Sequence, residues 1–281
     1  MKKKASAAAA VVLLAACYFL YNGNGEDASS PVREPQVAET SAGRSDTDGA
    51  SGKVELPALS GDDHIVVHEA YTSSYNTTTL IPNWVAYELT KEETYGDNER
   101  GDRMFCMDPD LGTRQAKRED YYNSGWTKGH MIPASDVRWS STGMDETFYF
   151  TNVCPQDEAL NAGDWEYLER QVRRWAREFG SVYVVTGPIV GTGRYGKIGE
   201  RDVTVPDAFF KAVACTVGGR RQAIAFVMGN DDSRYYLADC AMSVDEVEKM
   251  TGFDFFPALD DKVENAIEAA YSLKDWGIKA R

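Results

Sequence analysis

The apolar and polar positions of this chain fall into two periods. Asp63 to Tyr71 (DHIVVHEAY) alternates weakly, as a strand does, which sets His64 and His68 on one face. Ile81 to Leu89 reads as a turn entering a strand. Phe148 to Val153 (FYFTNV) is an aromatic and β-branched run and predicts a strand that Pro155 ends. From Leu160 the period changes. Trp165, Leu168, Val172, Trp175, Ala176 and Phe179 recur at three and four residues, the spacing of an amphipathic helix over Leu160 to Phe179, with Gly180 as its stop. Ser181 to Val190, Phe209 to Val217 and Gln222 to Met228 read as further strands, and Ser243 to Met250 and Asp261 to Tyr271 as helices. Strands without regular helix alternation predict an α+β sheet fold in place of a doubly wound one.

On the helical stripe, Asn161 lies one turn before Trp165 and Glu169 lies at the edge. A carboxamide on a core-facing side needs a partner, since an unpaired buried polar group costs roughly 1 to 3 kcal/mol. The partner is a backbone group on the plain reading and a metal ion on the functional one. The opposite side carries Arg170, Arg173, Arg174 and Arg177, which read as a solvated face paired with Glu166 and its neighbours. A two-histidine metal site at His64 and His68 lacks an evident carboxylate cluster, so the plainer reading is a pair of strand histidines.

Composition narrows the function. The chain has 281 residues, 43% of them hydrophobic, enough for a sizeable core. Its net charge of −14 argues against a protein that coats nucleic acid, but not against an enzyme with a local cationic groove. Between Arg100 and Arg201 there are 14 Lys/Arg against 15 Asp/Glu, so a polyanion is least repelled there. His130 falls inside that segment, in Lys128-Gly129-His130. If a hairpin presents His130 and the next helix presents Asn161 to the same point, the set suits phosphodiester hydrolysis. That chemistry needs a base for water, a cation at the leaving oxygen and a cationic clamp on phosphorus. His130, a metal on Asn161, and Arg103 or Lys128 fill these roles. One carboxamide ligand with a shell of water suits Mg²⁺, with Mn²⁺ as a substitute.

The stretch Trp126 to Asp136 (WTKGHMIPASD) resembles the Asp-Arg-Gly-His signature of the DNA/RNA non-specific endonucleases, the ββα-metal or His-Me finger group. Thr147 to Gln156, Leu160-Asn161 and Trp165 to Glu169 match its second block in order and spacing. Pro82 to Leu89, Arg103-Met104-Phe105 before Asp108-Pro109, Thr186-Gly187-Pro188, Val205 to Lys211 and Thr251 to Phe256 extend the likeness over about residues 65 to 270. The resemblance implies a ββα-metal fold with a largely antiparallel central sheet flanked by helices, and a metal-dependent endonuclease acting on DNA and RNA with little sequence specificity. It implies His130 as general base, Asn161 as metal ligand, Glu169 as holder of metal-bound water, and Arg103 as stabiliser of the charge on phosphorus. Asn152 would position the His130 ring or the active-site waters. One departure stands out: Thr127-Lys128 replaces the family's Asp-Arg, removing a carboxylate and a planar guanidinium. That substitution, together with the acidic total charge, motivates an alternative, a weakened or inactive envelope protein of the same fold that binds nucleic acid or a partner. A narrower phosphodiesterase is a third reading.

Residues 1–21 combine a basic start, an apolar run and Leu14-Ala15-Ala16-Cys17, which predicts an export signal with a lipid anchor on Cys17, or an uncleaved membrane anchor. Residues 22–60 read as a solvated tether and residues 61–281 as the nuclease domain. The expectation is an exported protein, held in the cell envelope by a lipid or membrane anchor or, alternatively, secreted. In that compartment the even set Cys106, Cys154, Cys215 and Cys240 would pair, in one of three ways.

Overall fold

The computed structural model describes residues 53–60, 64–112 and 114–280. Eleven strands occur among them: β1 His64–Val67, β2 Thr72–Asn76, β3 Ile81–Thr90, β4 Thr127–His130, β5 Val153–Gln156, β6 Ser181–Ile189, β7 Lys197–Ile198, β8 Val203–Thr204, β9 Ala208–Val217, β10 Arg220–Gly229 and β11 Ala241–Met242. The helices are α1 Ser141–Glu146, α2 Glu166–Phe179, α3 Leu237–Cys240, α4 Val244–Thr251 and α5 Asp261–Glu268. Seven strands form one antiparallel sheet in the order β1-β2-β3-β6-β9-β10-β11, and β4 and β5 form a separate antiparallel ribbon. The α+β class and the antiparallel sheet expected from the sequence are both present.

Strand alternation divides the core into two layers. Val85, Tyr87, Leu89, Phe209, Val213 and Phe226 face the front, where α2 packs through Leu168, Val172, Trp175 and Ala176. Trp84, Ala86, Phe210, Ala212 and Val227 face the back, where α4 and α5 cover them through Val244, Val247 and Ile267. Each large side chain so buried contributes about 1.5 to 3 kcal/mol relative to exposure. Val54 and Leu56 also pack on the back layer, and Ala58 N–H bonds to Asp254 O at 2.8 Å, so packing begins within the expected tether.

Three expectations need correction. Phe148 to Val153 is not a strand: Phe150–Asn152 form a 3₁₀ turn and β5 begins at Val153, carrying Pro155 inside it opposite Lys128. The aromatic rings are core residues of a turn, and proline is tolerated because the ribbon is only two strands wide. The long helix is broken as well. Leu160–Trp165 is a π-helical segment in which Gly163 leaves helical dihedrals (φ −119°, ψ −105°), and the regular α-helix starts at Glu166. Finally, Cys106, Cys154, Cys215 and Cys240 are all free thiols; the last three are buried on separate elements, β5, β9 and α3.

Candidate active site

The ribbon β4–β5 and helix α2, with the π-helical segment between them, build the site. Within β4 the two-residue period sends Thr127 and Gly129 one way and Lys128 and His130 the other. Gly129 is required by close approach: a Cβ there would drive into the Gln156 side chain on β5. The following turn is clamped hard. Asn152 is fully buried, and its side chain accepts from Ile132 N–H (2.9 Å) and donates to Ile132 O (3.0 Å) and Thr147 O (2.8 Å). Lys211 Nζ donates to Met131 O at 3.3 Å, and Asp136 binds Arg173 (2.6 Å) and Tyr87 (3.1 Å). Those contacts leave His130 little freedom at the end of its strand.

His130 lines a cleft of about 550 Å³ together with Asn161, Glu166, Glu169, Arg100 and Arg138. Its ring packs between Phe105 (5.1 Å, tilted) and Phe148 (5.2 Å, edge-on). Nε2 is buried without a hydrogen-bond partner among the described residues, which leaves Nδ1 as the nitrogen able to serve the cleft. Burial, and then the Arg100 charge, push the imidazole pKa down to about 3. The ring is therefore neutral near pH 7, the form in which a histidine accepts a proton.

Asn161 Nδ2 donates to Thr127 Oγ1 at 3.1 Å, and Thr127 Oγ1 donates to Gln156 O at 2.8 Å. The Asn161 partner is thus a threonine hydroxyl, neither a backbone group nor a direct replacement for a carboxylate. With the nitrogen engaged, the side-chain oxygen Oδ1 has no protein partner among the described residues. Glu169, on the first turns of α2, is 8% exposed and makes no hydrogen bond among the described residues. Burial pushes its carboxyl up to about 8, and Lys211, fully buried over the Trp165 ring at 5.0 Å, offsets only part of that rise.

Two expected cations do not line this cleft. Arg103 is bound by Asp145 at 2.5 Å and donates to the carbonyls of Glu99 (2.6 Å) and Arg100 (3.2 Å), so it shapes the loop that carries Arg100. Lys128 lies over the Tyr121 ring at 5.0 Å and the Phe105 ring at 5.8 Å, beyond the aromatic wall from His130. Arg100 and Arg138 are the arginines that line it, the Arg100 guanidinium lying 5.1 Å from the Phe148 ring centre. Asn152 reaches neither the His130 ring nor the cleft and acts on the backbone alone. The basic stripe of α2 also divides: Arg170 pairs with Glu166, whereas Arg173 turns inward to Asp136 and Arg177 to Thr94.

His68 belongs elsewhere. Its Nε2 meets Asp108 Oδ2 at 2.8 Å, the same oxygen accepts from Thr151 (2.6 Å), and Asp108 Oδ1 accepts from Asp110 N–H (2.9 Å). Asp110 could complete a cation site with these two, but both Asp108 oxygens are already engaged. The group reads as a hydrogen-bonded knot, and the strand histidine His64 is exposed and takes no part in it.

Residues 51–262 match the model of the DNA/RNA non-specific endonuclease family. Human mitochondrial nuclease EXOG is 35% identical over 207 residues, covering 66% of this chain and 55% of that protein. Human mitochondrial endonuclease G is 32% identical over 239 residues, 80% of this chain and 77% of the relative. The mitochondrial nuclease of Saccharomyces cerevisiae is 31% identical over 221 residues, 71% and 67%. In the crystal structure of an EndoG/EndoGI complex, one chain superposes with a TM-score of 0.69 at 28% identity, covering 78% of this chain and 96% of that one. This chain spans only about half the length of EXOG. The mitochondrial names of these relatives overturn the expectation of an exported, envelope-anchored protein; residues 1–21, with Cys17, lie outside the described residues. With this cleft, this sheet and a family match over three quarters of its length, the chain belongs to the DNA/RNA non-specific endonucleases.

Proposed function

We propose that the cleft hydrolyses phosphodiester bonds of DNA and RNA with little sequence preference, as a Mg²⁺-dependent endonuclease that also accepts Mn²⁺. One observation carries this reading: a neutral histidine, a carboxamide oxygen and a carboxylate without a hydrogen bond converge on one cleft beside two arginines. The family is one of metal-dependent nucleases, and the donors fit a hard cation, since Asn161 Oδ1 and the Glu169 carboxylate offer oxygen only. Asn161 and Glu169 would hold the ion, which would supply charge neutralisation at the leaving oxygen.

His130 takes the proton of the attacking water at Nδ1, which its neutrality permits. Thr127 engages the Asn161 nitrogen, so that the oxygen would be the atom left to hold a cation. Glu169 would orient water bound to such an ion, and Lys211 offsets part of the effect of burial on its carboxyl. Arg100 stabilises the charge that develops on phosphorus, a role the sequence assigned to Arg103 or Lys128. Those two support the surrounding loop and aromatic wall. Asn152, through the backbone at Ile132, is a positioning residue for His130. Contacts of this kind address the sugar-phosphate backbone and carry no base information, which accounts for low specificity. The catalytic unit is residues 61–281 together with the packed stretch from Val54.

The alternative of an inactive protein rested on Thr127-Lys128 and on the acidic net charge. Its motive weakens, because Thr127 still orients Asn161 and Arg100 supplies the missing guanidinium. The test is incubation with plasmid DNA and with RNA, with and without chelator, for the natural chain and Asn161→Ala. Both substrates should be cut, and chelation or Asn161→Ala should suppress cutting at least a hundredfold. Cutting that is indifferent to chelator would overturn the reading.

A further inference from the structure

On the back of the sheet, far from any role in the cleft, α4 and α5 bring together five carboxylates: Asp245, Glu248, Asp254, Glu264 and Glu268. One oxygen from each of Asp245, Glu248 and Glu268 lies within 4.8 Å of the others. Asp245 and Glu248 stand three residues apart on one face of α4, and Glu268 reaches them from the last turn of α5. Glu268 is 5% exposed, and its Oε1 is buried without a hydrogen-bond partner; Glu264 Oε1 is likewise buried and unpartnered. Glu248 Oε1 accepts from Phe255 N–H at 2.7 Å, which fixes that carboxylate in place. Among the described residues, none of the five has an ion pair.

An isolated buried carboxylate is strongly disfavoured, and several facing one another are more so. The charges that act most on Glu268 are those of Glu248, Glu264, Asp245 and Asp254, all of one sign; with burial they push its carboxyl up to about 9. Elsewhere this molecule answers buried acids with basic residues, as Arg173 does for Asp136. Among the described residues, no cation is among the charges that act most on Glu268.

We propose that Asp245, Glu248 and Glu268 hold a Ca²⁺ ion that pins α5 to α4 over the back layer of the core. The donor set is oxygen only, which selects a hard cation, and three carboxylates on two short helices suit the large and irregular coordination shell of Ca²⁺ better than the strict octahedron of Mg²⁺. Oxygens within 4.8 Å of each other can share one ion at about 2.4 Å. The ion takes no part in catalysis; it stabilises the lid of helices that covers Phe210 and Phe255.

The site is tested by thermal unfolding of the full chain in chelator and in Ca²⁺, for the natural sequence, Glu268→Gln, Asp245→Asn and Asn161→Ala. Ca²⁺ in about 100-fold excess over its Kd should raise Tm by roughly 5 to 10 °C in the natural chain. Asn161→Ala should keep that rise, which separates this site from the cleft. Glu268→Gln, nearly isosteric, should fold with a Tm in chelator at or above the natural value and lose the Ca²⁺ response, as should Asp245→Asn. The absence of a Ca²⁺ response in the natural chain would overturn the proposal. A response that both Glu268→Gln and Asp245→Asn retain would overturn it equally.

Discussion

Glu169 and Glu268 are both buried glutamates near helix α2 or α5, and they stand on opposite faces of one sheet. Burial pushes the Glu169 carboxyl up to about 8, an effect that Lys211 and Arg173 offset in part and that Asp136 and Glu166 add to. Glu268 sits among other carboxylates, which oppose its ionisation. The difference teaches where each charge is balanced. On the front, buried cations of the protein, Lys211 and Arg173, supply part of the balance before anything binds. On the back the balance is left to an ion, and the fold depends on what is in solution.

The sharpest way to break this comparison is to remove charge from each side. Lys211→Met leaves Glu169 and Asp136 short of a buried cation and should cost about 3 to 5 kcal/mol in urea unfolding. Glu268→Gln in chelator should cost nothing or stabilise. Equal losses from the two variants would erase the distinction.

Next in size is the contrast between two arginines of one loop. Arg100→Ala should lower kcat on plasmid DNA by about 30- to 100-fold with little change in Tm, because its guanidinium faces the cleft. Arg103→Ala should act more weakly, by loosening the loop through loss of its bonds to Glu99 O and Asp145. A larger loss of kcat for Arg103→Ala would return the phosphate role to it.

Thr127→Val sharpens the front side further. It keeps the shape and removes the hydroxyl that binds Asn161, so kcat should fall about tenfold and the apparent Mg²⁺ affinity should weaken with it. Restoring both in Thr127→Ser would show that the hydroxyl, not the methyl group, matters.

The smallest effect concerns pH. With its pKa held near 3, His130 keeps its proton-accepting form from pH 8 to 6 and should contribute less than a twofold change in kcat/KM over that range. An acid limb centred near pH 6.5 that vanishes in His130→Gln would contradict this. The sign for stability follows: the unfolded histidine binds a proton below about 6.5 and the folded one does not until about 3, so acidification through that window favours unfolding. His130→Gln should flatten part of that fall.

How much of this was readable beforehand depended on distance along the chain. His130 and Asn161 could be found because period and residue type mark them locally, and the antiparallel sheet followed from its long apolar runs. Lys211 had a visible signal too, a lone lysine inside the apolar run FFKAVACTV, whose meaning needed the facing Glu169. Arg100 had none, because it is one arginine among several in a polar loop, and only the anchoring of Arg103 to Asp145 decides which one enters the cleft. The turn at Phe150–Asn152 was misread as strand because its aromatics serve the core whatever their backbone does. The carboxylate group of α4 and α5 was invisible because its members are separated by a loop whose path, through Phe255 and Phe256, no periodicity reveals.

The most direct test of the front-face account is single-turnover cleavage of plasmid DNA by His130→Ala at saturating Mg²⁺, with Tm measured on the same sample. The account predicts a loss of 10²- to 10⁴-fold in rate with the fold intact and nucleic-acid binding retained. Undiminished cutting by a folded His130→Ala would contradict it.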